Sequence, residues 1–394
     1  MTRPLPEWAA WNEGSNYTVG AEEEVMLLHP GDWSLAQQSS RALDALPEEL
    51  VDHMTAETQS AVVELSSDPH QDVEGLVAQL GHLRKELERE LSMLGLRAAS
   101  AGTHAFTVWQ ETVVSPAARY QAVYGSMREL ARREPSLALH VHVGIPDPET
   151  AIRVLNRMRA HLPLLLALSV NSPFWQGRDT GLASARTPLF QAFPRVGIPR
   201  VFDDYTDWAQ TVDLLVRCEA FPEASYLWWD VRPQPRFGTV EVRVLDAQST
   251  VDETGALCAL VQSLVRLEAE EGYVDEALVR TQEVLDENRF LAARDGMAAD
   301  LIDIRRERRV PAREQLADVL EACRPHAAAL GCEARLATID HVFEQTGAER
   351  QVAVARQHAD RLPGLVSSLA DAFGRPSVAL GDGARSGGAV GVGG

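Results

Sequence analysis

The stretch Gly238-Thr-Val-Glu-Val-Arg-Val-Leu-Asp246 decides how this chain is read. Its residues alternate strictly. Side chains on a strand point to opposite faces in turn. Val240, Val242 and Val244 therefore make an apolar back, and Thr239, Glu241, Arg243 and Leu245 make a front. On its own this pattern also suits a plain solvated strand. Two further stretches share the format. Leu139, Val141, Val143 and Ile145 set an apolar face against His140 and His142, and Gly20-Ala-Glu-Glu-Glu24 puts Glu22 and Glu24 on one side. Three strands with paired ionisable groups predict one polar sheet face. Carboxylates with imidazole suit hard divalent cations, and arginine suits phosphate.

The chain has 394 residues, 45% of them apolar and 24% charged, enough for a sizeable core in one large domain or two. Its net charge of −20 argues against binding a nucleic-acid backbone or an anionic membrane. Cys218, Cys258, Cys323 and Cys332 show no Cys-x-x-Cys spacing, and the first residues lack a signal-peptide core. The expectation is a cytoplasmic protein with reduced thiols.

Residues 1–16 read as a loose arm, and 18–28 as the first strand, with Glu23 anomalous among apolar neighbours. That residue needs a partner, a bulge or a sheet edge. A short helix is expected over 39–46. Residues 57–65 read as an irregular strand able to bring Glu57 and Glu64 to the same site. Leucines and valines at three- and four-residue spacing predict a helix over 72–100. Residues 101–106 read as a further strand. Arg119 and Tyr120 open another helix. Asp147 and Pro148 cap a helix expected to reach Val170 and to kink at Pro163. Residues 171–200, rich in Pro, Gly, Arg and aromatics, read as a binding loop or lid. Asp207 is expected to cap the next helix, and 252–373 to be mostly helical. The Gly-rich residues 374–394 are expected to be disordered. Strands concentrate before residue 250 and helices after it, an α+β pattern.

Glu22, Glu24, Glu57, Glu64, His140, His142 and Glu241 cannot crowd together ionised without cations. Such a carboxylate is read as one of several repelling charges, unless Glu241 pairs with Arg243 in a buried bridge. With Arg232, Arg236 and Arg243 beside them, these are the parts for phosphoryl transfer. Neither a P-loop nor a Gly-x-Gly-x-x-Gly turn is present.

In this order, Thr18-Val-Gly-Ala-Glu-Glu-Glu24, Gly102-Thr-His-Ala-Phe106, His140-Val-His-Val-Gly144, Asn171-Ser-Pro-Phe174, Trp229-Asp-Val-Arg-Pro-x-Pro-x-Phe-Gly-Thr-Val-Glu-Val-Arg-Val244 and Glu287-Asn-Arg-Phe290 resemble the type 2 glutamate–cysteine ligases. These are carboxylate–amine ligases of the glutamine synthetase superfamily. Ala105 departs from the family's usual Pro. The resemblance implies a twisted, mainly antiparallel sheet forming an open funnel with helices outside. It implies one catalytic domain over 1–373, strand-rich over 17–250 and helical over 251–373. It implies ATP with Mg²⁺ or Mn²⁺, and γ-phosphorylation of L-glutamate followed by attack of an amine, that of L-cysteine. Glu22, one of the His140/His142 pair, with His140 the favoured ligand, and Glu241 would hold one metal, and Glu24, Glu57 and Glu64 another. His142 and Trp229 would lie toward the nucleotide, and Arg243, with Arg232 and Arg236, toward the phosphoryl group. Arg119, Tyr120, Asn171, Arg186 and Arg195 would face the amino acids. Self-association is left open. The alternatives are another amine acceptor, or a metal-dependent hydrolase or degenerate binding protein on the same sheet.

Overall fold

Seven strands form the main sheet of the computed structural model, which describes residues 4–13, 16–133, 136–359 and 361–378. They are β1 (Val19–Leu28), β2 (Met54–Ala56), β3 (Val62–Ser66), β4 (Arg97–Ala99), β5 (Ala138–Gly144), β6 (Val231–Gln234) and β7 (Thr239–Asp246). The order is β6-β7-β5-β1-β3-β2, with β4 on the far end of β1. Every pairing in it is antiparallel and the sheet does not close. The expected α+β fold is therefore observed. Among the described residues, no helix is long and apolar enough to cross a membrane.

The apolar back of the sheet is buried under helices Val73–Met93, Pro148–Ser169 and Val251–Glu270. Val141, Val143, Val240 and Val242 are fully buried there. Glu23 sits on this face because it has a partner. Arg84 grips it through Nε and Nη2 at 2.8 and 2.7 Å, and the Thr254 hydroxyl donates at 2.6 Å. A bidentate guanidinium satisfies both carboxylate oxygens, which a buried charge requires.

Several boundaries differ from the sequence expectations. The helix expected over 72–100 ends at Met93. Gly95, at φ +74°, turns the chain left-handed, and 97–99 then pairs with β1. Residues 57–65 are not one strand. They are the turn and second arm of a β2–β3 hairpin, and the turn is the expected irregularity. Residues 101–106 contribute only an isolated bridge, Thr103 to Ser136. The helix over Pro148–Ser169 runs through Pro163 unbroken. Asp204 caps the helix Tyr205–Arg217, accepting from the Asp207 amide; Asp207 lies in its first turn. A hairpin, Asp300–Asp303 with Arg308–Pro311, interrupts the helical half. The N-terminal arm is docked where described. Trp8 meets Trp208 edge-on at 5.6 Å, and Trp11 Nε1 donates to the Ile145 carbonyl. Of the Gly-rich tail, 374–378 is placed, with Ser377 donating to Asp252 at 2.7 Å; the rest lies outside the described residues.

Candidate active site

Register builds the polar face. Glu22 is opposite His140 across β1 and β5, Glu241 is opposite His142 across β7 and β5, and Glu24 is opposite Glu64 across β1 and β3. Glu57, just past β2, turns toward the same place, its Oε2 accepting from the Thr58 amide at 2.8 Å. Ligand atoms converge to within 4.8 Å in three groups: Glu24, Glu57 and Glu64; Glu22, His142 and Glu241; and Glu22, Glu64 and His140. The first is the expected carboxylate trio. Each histidine joins one group: His142 stands with Glu22 and Glu241, which β7 pairs with it, and His140 with Glu22 and Glu64. His140 stands one row along, with Nδ1 3.1 Å from Glu22 and 3.3 Å from Arg243 Nη1.

A bulge in β7 shapes the next part. Val242 pairs with Val141, but Leu245, not Val244, pairs with Leu139. The extra residue lets both Val244 and Leu245 enter the core and frees Arg243 over the sheet. Leu245 was expected on the front. Glu241 is wholly buried and ion-paired. Arg232 approaches through Nε at 2.6 Å, Gln234 donates at 2.8 Å, and Arg243 Nη1 is also in contact. The bridge that the sequence left as the exception is thus present, and doubled. Arg232 also donates to the carbonyls of Ser225 and Leu227, at 3.0 and 2.6 Å, and so anchors the approach to Trp228.

These groups face a cavity of about 250 Å³. Glu22, Glu24, Glu57, Glu64 and His140 form its floor, with Arg232 and Arg243. Arg119, Tyr120 and Arg186 line it too, as expected. Arg119 is held by Glu223 at 2.5 Å, and the Tyr120 hydroxyl lies 3.5 Å from Glu57. Arg186 is buried; it donates to the Arg243 and Val244 carbonyls, and its Nε and that of Arg243 have no hydrogen-bond partner.

Four expected site residues are elsewhere. Asn171 is sealed inside the protein, bonded to the Ala247 carbonyl, Ser249 and Gln351. Its amide links loop, sheet and helix Gly347–Gln357, which leaves no group for a substrate. Arg195 lies over the Trp228 and Phe221 rings outside the lining. Trp229 packs on Phe202, and Arg236 is exposed on Phe237.

Asp246 is the residue the sequence reading missed. Fully buried, it accepts from the Asn171 amide and the Ser172 and Ser184 hydroxyls at 2.9, 2.7 and 3.0 Å, with Arg186 Nη1 at 3.6 Å. It ties the loop expected over 171–200 to the end of β7. A carboxylate closing an otherwise apolar strand end was the available signal. Gly102 completes this junction, since a Cβ there would lie 2.7 Å from the Asp246 carboxyl.

The electrostatics suit divalent cations. Burial, then the charge of Glu57, pushes Glu24 up to about 8. Burial and the neighbouring Glu22, Glu57 and Glu24 carry Glu64 well above its usual range, and burial raises Glu57. For Glu22, burial is outweighed by His142 and by bonds from both histidines, so its carboxyl stays low. Burial, then Arg243, presses His140 down to about 4, leaving a neutral imidazole. His142 is raised: Glu241 and Glu22 overcome its burial. An oxygen-rich trio that resists ionising alone, Glu24, Glu57 and Glu64, is what Mg²⁺ or Mn²⁺ would relieve.

A pH dependence follows. Glu24, held up to about 8, keeps a proton in the folded state that the unfolded chain has released by pH 6.5, and Glu57, Glu64 and His142 are shifted in the same direction. Stability then falls as pH rises. His140 and His104, both held down to about 4, act oppositely only below about pH 6.5. In EDTA the melting temperature should fall from pH 6.5 to 8, and the gain on adding Mg²⁺ should be larger at pH 8. A metal-free melting temperature that rises over that window would contradict the assigned proton loads.

A model of the glutamate–cysteine ligase family 2 matches residues 18–363. A protein of Rubrobacter xylanophilus, provisionally named glutamate–cysteine ligase 2-1, is 37% identical over 349 residues, covering 88% of this chain and 93% of that one. Two solved structures share the fold. A glutamate–cysteine ligase from Francisella tularensis, solved in complex with AMP, has a TM-score of 0.66 at 13% identity, covering 94% of this chain and 91% of that one. A bifunctional glutathione synthetase from Pasteurella multocida has a TM-score of 0.68 at 12% identity. There the match covers 91% of this chain but only 52% of the larger one.

Proposed function

This chain belongs to glutamate–cysteine ligase family 2, and from that premise we propose that it is an ATP-dependent ligase joining the γ-carboxylate of L-glutamate to an amine through an acyl phosphate. The coarser statement, a carboxylate–amine ligase of the glutamate–cysteine ligase type, follows from the family itself. The observation that carries the finer reading is the carboxylate floor set beneath Arg243 and Arg186 in one cavity. Bound Mg²⁺ ions on Glu24, Glu57 and Glu64, and on Glu22, one of His140 and His142, and Glu241, would offset the charge of the ATP phosphates.

The chain's own groups do the rest. Arg243, fixed by Glu241, lines the cavity above the carboxylates and would hold the transferred phosphoryl group. Arg186, fixed by backbone carbonyls, also lines the cavity and would face a substrate carboxylate. The γ-carboxylate oxygen attacks the terminal phosphorus and ADP leaves. The amine then attacks the acyl carbon and phosphate leaves. Residues 1–373 would serve as one catalytic domain in the cytoplasm, where ATP and amino acids are at hand.

Product analysis tests this. With ATP, Mg²⁺, L-glutamate and an amine, the protein should release ADP and inorganic phosphate in step with amide formation. Release of AMP and pyrophosphate would overturn the acyl-phosphate route.

A further inference from the structure

We propose that Arg289 is a positioning residue that sets Arg243 against Arg186, the two cavity arginines given above to the phosphoryl group and to a substrate carboxylate. The inference rests on the ligase reading. Arg289 lies on the helix Gln282–Asp295, buried and outside the cavity lining, so it can act only through other residues. Its guanidinium meets two elements at once. Nε and Nη2 donate to the Asp230 carboxylate at 2.5 and 3.2 Å, and Nη1 donates to Gln191 Oε1 at 2.7 Å. Serving the fold with a buried ion pair would need Asp230 alone. The third contact reaches the loop that carries Arg186.

Each partner leads to one cavity arginine. Asp230 stands just before β6, and its carbonyl accepts from the Arg243 amide at 2.8 Å. That bond matters because the bulge takes Arg243 out of register with β5 on its other side. Gln191 caps the C-terminus of the short helix Arg186–Phe190, its amide donating to the Thr187 carbonyl at 3.2 Å. The helix that carries Arg289 also holds the chain just before Arg186: the amides of Ala183 and Ser184 donate to the Arg294 and Ala293 carbonyls at 3.0 and 2.8 Å. The two branches then meet, since Arg186 Nη2 donates to the Arg243 carbonyl at 3.3 Å. The contacts close a ring from Arg289 through Asp230, Arg243, Arg186 and Gln191 back to Arg289. A planar fork with donors on three nitrogens can span both partners, and a point ammonium cannot.

The test compares the full chain with Gln191→Ala and Arg289→Lys. Each is supplied with ATP, Mg²⁺, L-glutamate and hydroxylamine, and ADP and γ-glutamyl hydroxamate are followed. Rates are divided by the folded fraction, read from thermal unfolding. Gln191→Ala breaks the branch to Arg186 and leaves the buried ion pair whole. Its KM for glutamate should rise about tenfold with kcat nearly unchanged, the signature of lost ground-state binding. Arg289→Lys keeps a charge beside Asp230 but loses the fork. It should raise that KM and also lower kcat about tenfold or more, because a small misplacement set up far from the chemistry can cost up to about 10²-fold. If Arg289→Lys does not fold, Gln191→Ala decides alone. Wild-type constants per folded molecule in either variant would make the contact structural only, overturning the inference and leaving the ligase standing. Absence of hydroxamate and of glutamate-dependent ADP release in the wild type overturns both.

Discussion

Glu241→Gln is expected to lower the stability of the metal-free protein by about 3–5 kcal/mol and to abolish most turnover. Two terms compete. Glu241 shares the sheet face with Glu22, and neutralising it relieves that repulsion. Against this, its carboxylate is fully buried between Arg232 and Arg243. The substitution leaves two buried guanidiniums without their counter-charge, and the loss of two short ion pairs outweighs one longer-range repulsion. Glu64→Gln should behave oppositely. Glu64 meets the charges of Glu22, Glu57 and Glu24 and is raised well above its usual range. Its neutralisation should hold or raise the metal-free melting temperature while still costing activity. Thermal unfolding of both variants in EDTA separates the cases. An unchanged melting temperature for Glu241→Gln would mean that the double bridge contributes little to the fold.

Arg243→Lys should lower kcat by about 10²-fold or more, as when one preorganised donor to developing charge is lost. The charge survives. What disappears is a planar fork that holds Glu241 through Nη1 while the rest of the guanidinium lines the cavity. An ammonium is a point donor and cannot keep both positions. Steady-state rates at saturating ATP and glutamate check this. A rate within a few-fold of wild type would remove Arg243 from the phosphoryl group.

The sheet was legible because period-two alternation marks strands strongly, and β1, β5 and β7 each carry it over several residues. The polar face was legible for the same reason: Glu22, Glu24, His140, His142 and Glu241 sit at even spacings. Which histidine meets which carboxylate was not, because register belongs to pairs of strands and no single strand contains it. The β7 bulge was hidden too. An apolar residue at 245 reads as the front of a regular strand, and only the pairing to Leu139 reveals the extra residue. Loop residues fared worst. The resemblance put Asn171 and Arg195 toward the amino acids, yet the Asn171 amide is taken by Gln351, and Arg195 lies over the Trp228 and Phe221 rings. Nothing in the sequence spacing shows that the pieces Trp229-Asp-Val-Arg and Glu287-Asn-Arg-Phe290 meet. In the fold, Arg289 of the second grips Asp230 of the first, Nε to Oδ2 at 2.5 Å.

The most direct test follows oxygen from glutamate to phosphate. L-Glutamate labelled with oxygen-18 in its γ-carboxylate is turned over with unlabelled ATP, Mg²⁺ and an amine, and the released phosphate is analysed by mass. If that carboxylate is phosphorylated above the floor of Glu24, Glu57 and Glu64, one labelled oxygen should appear in each phosphate released. Phosphate carrying no label while amide accumulates would contradict the account.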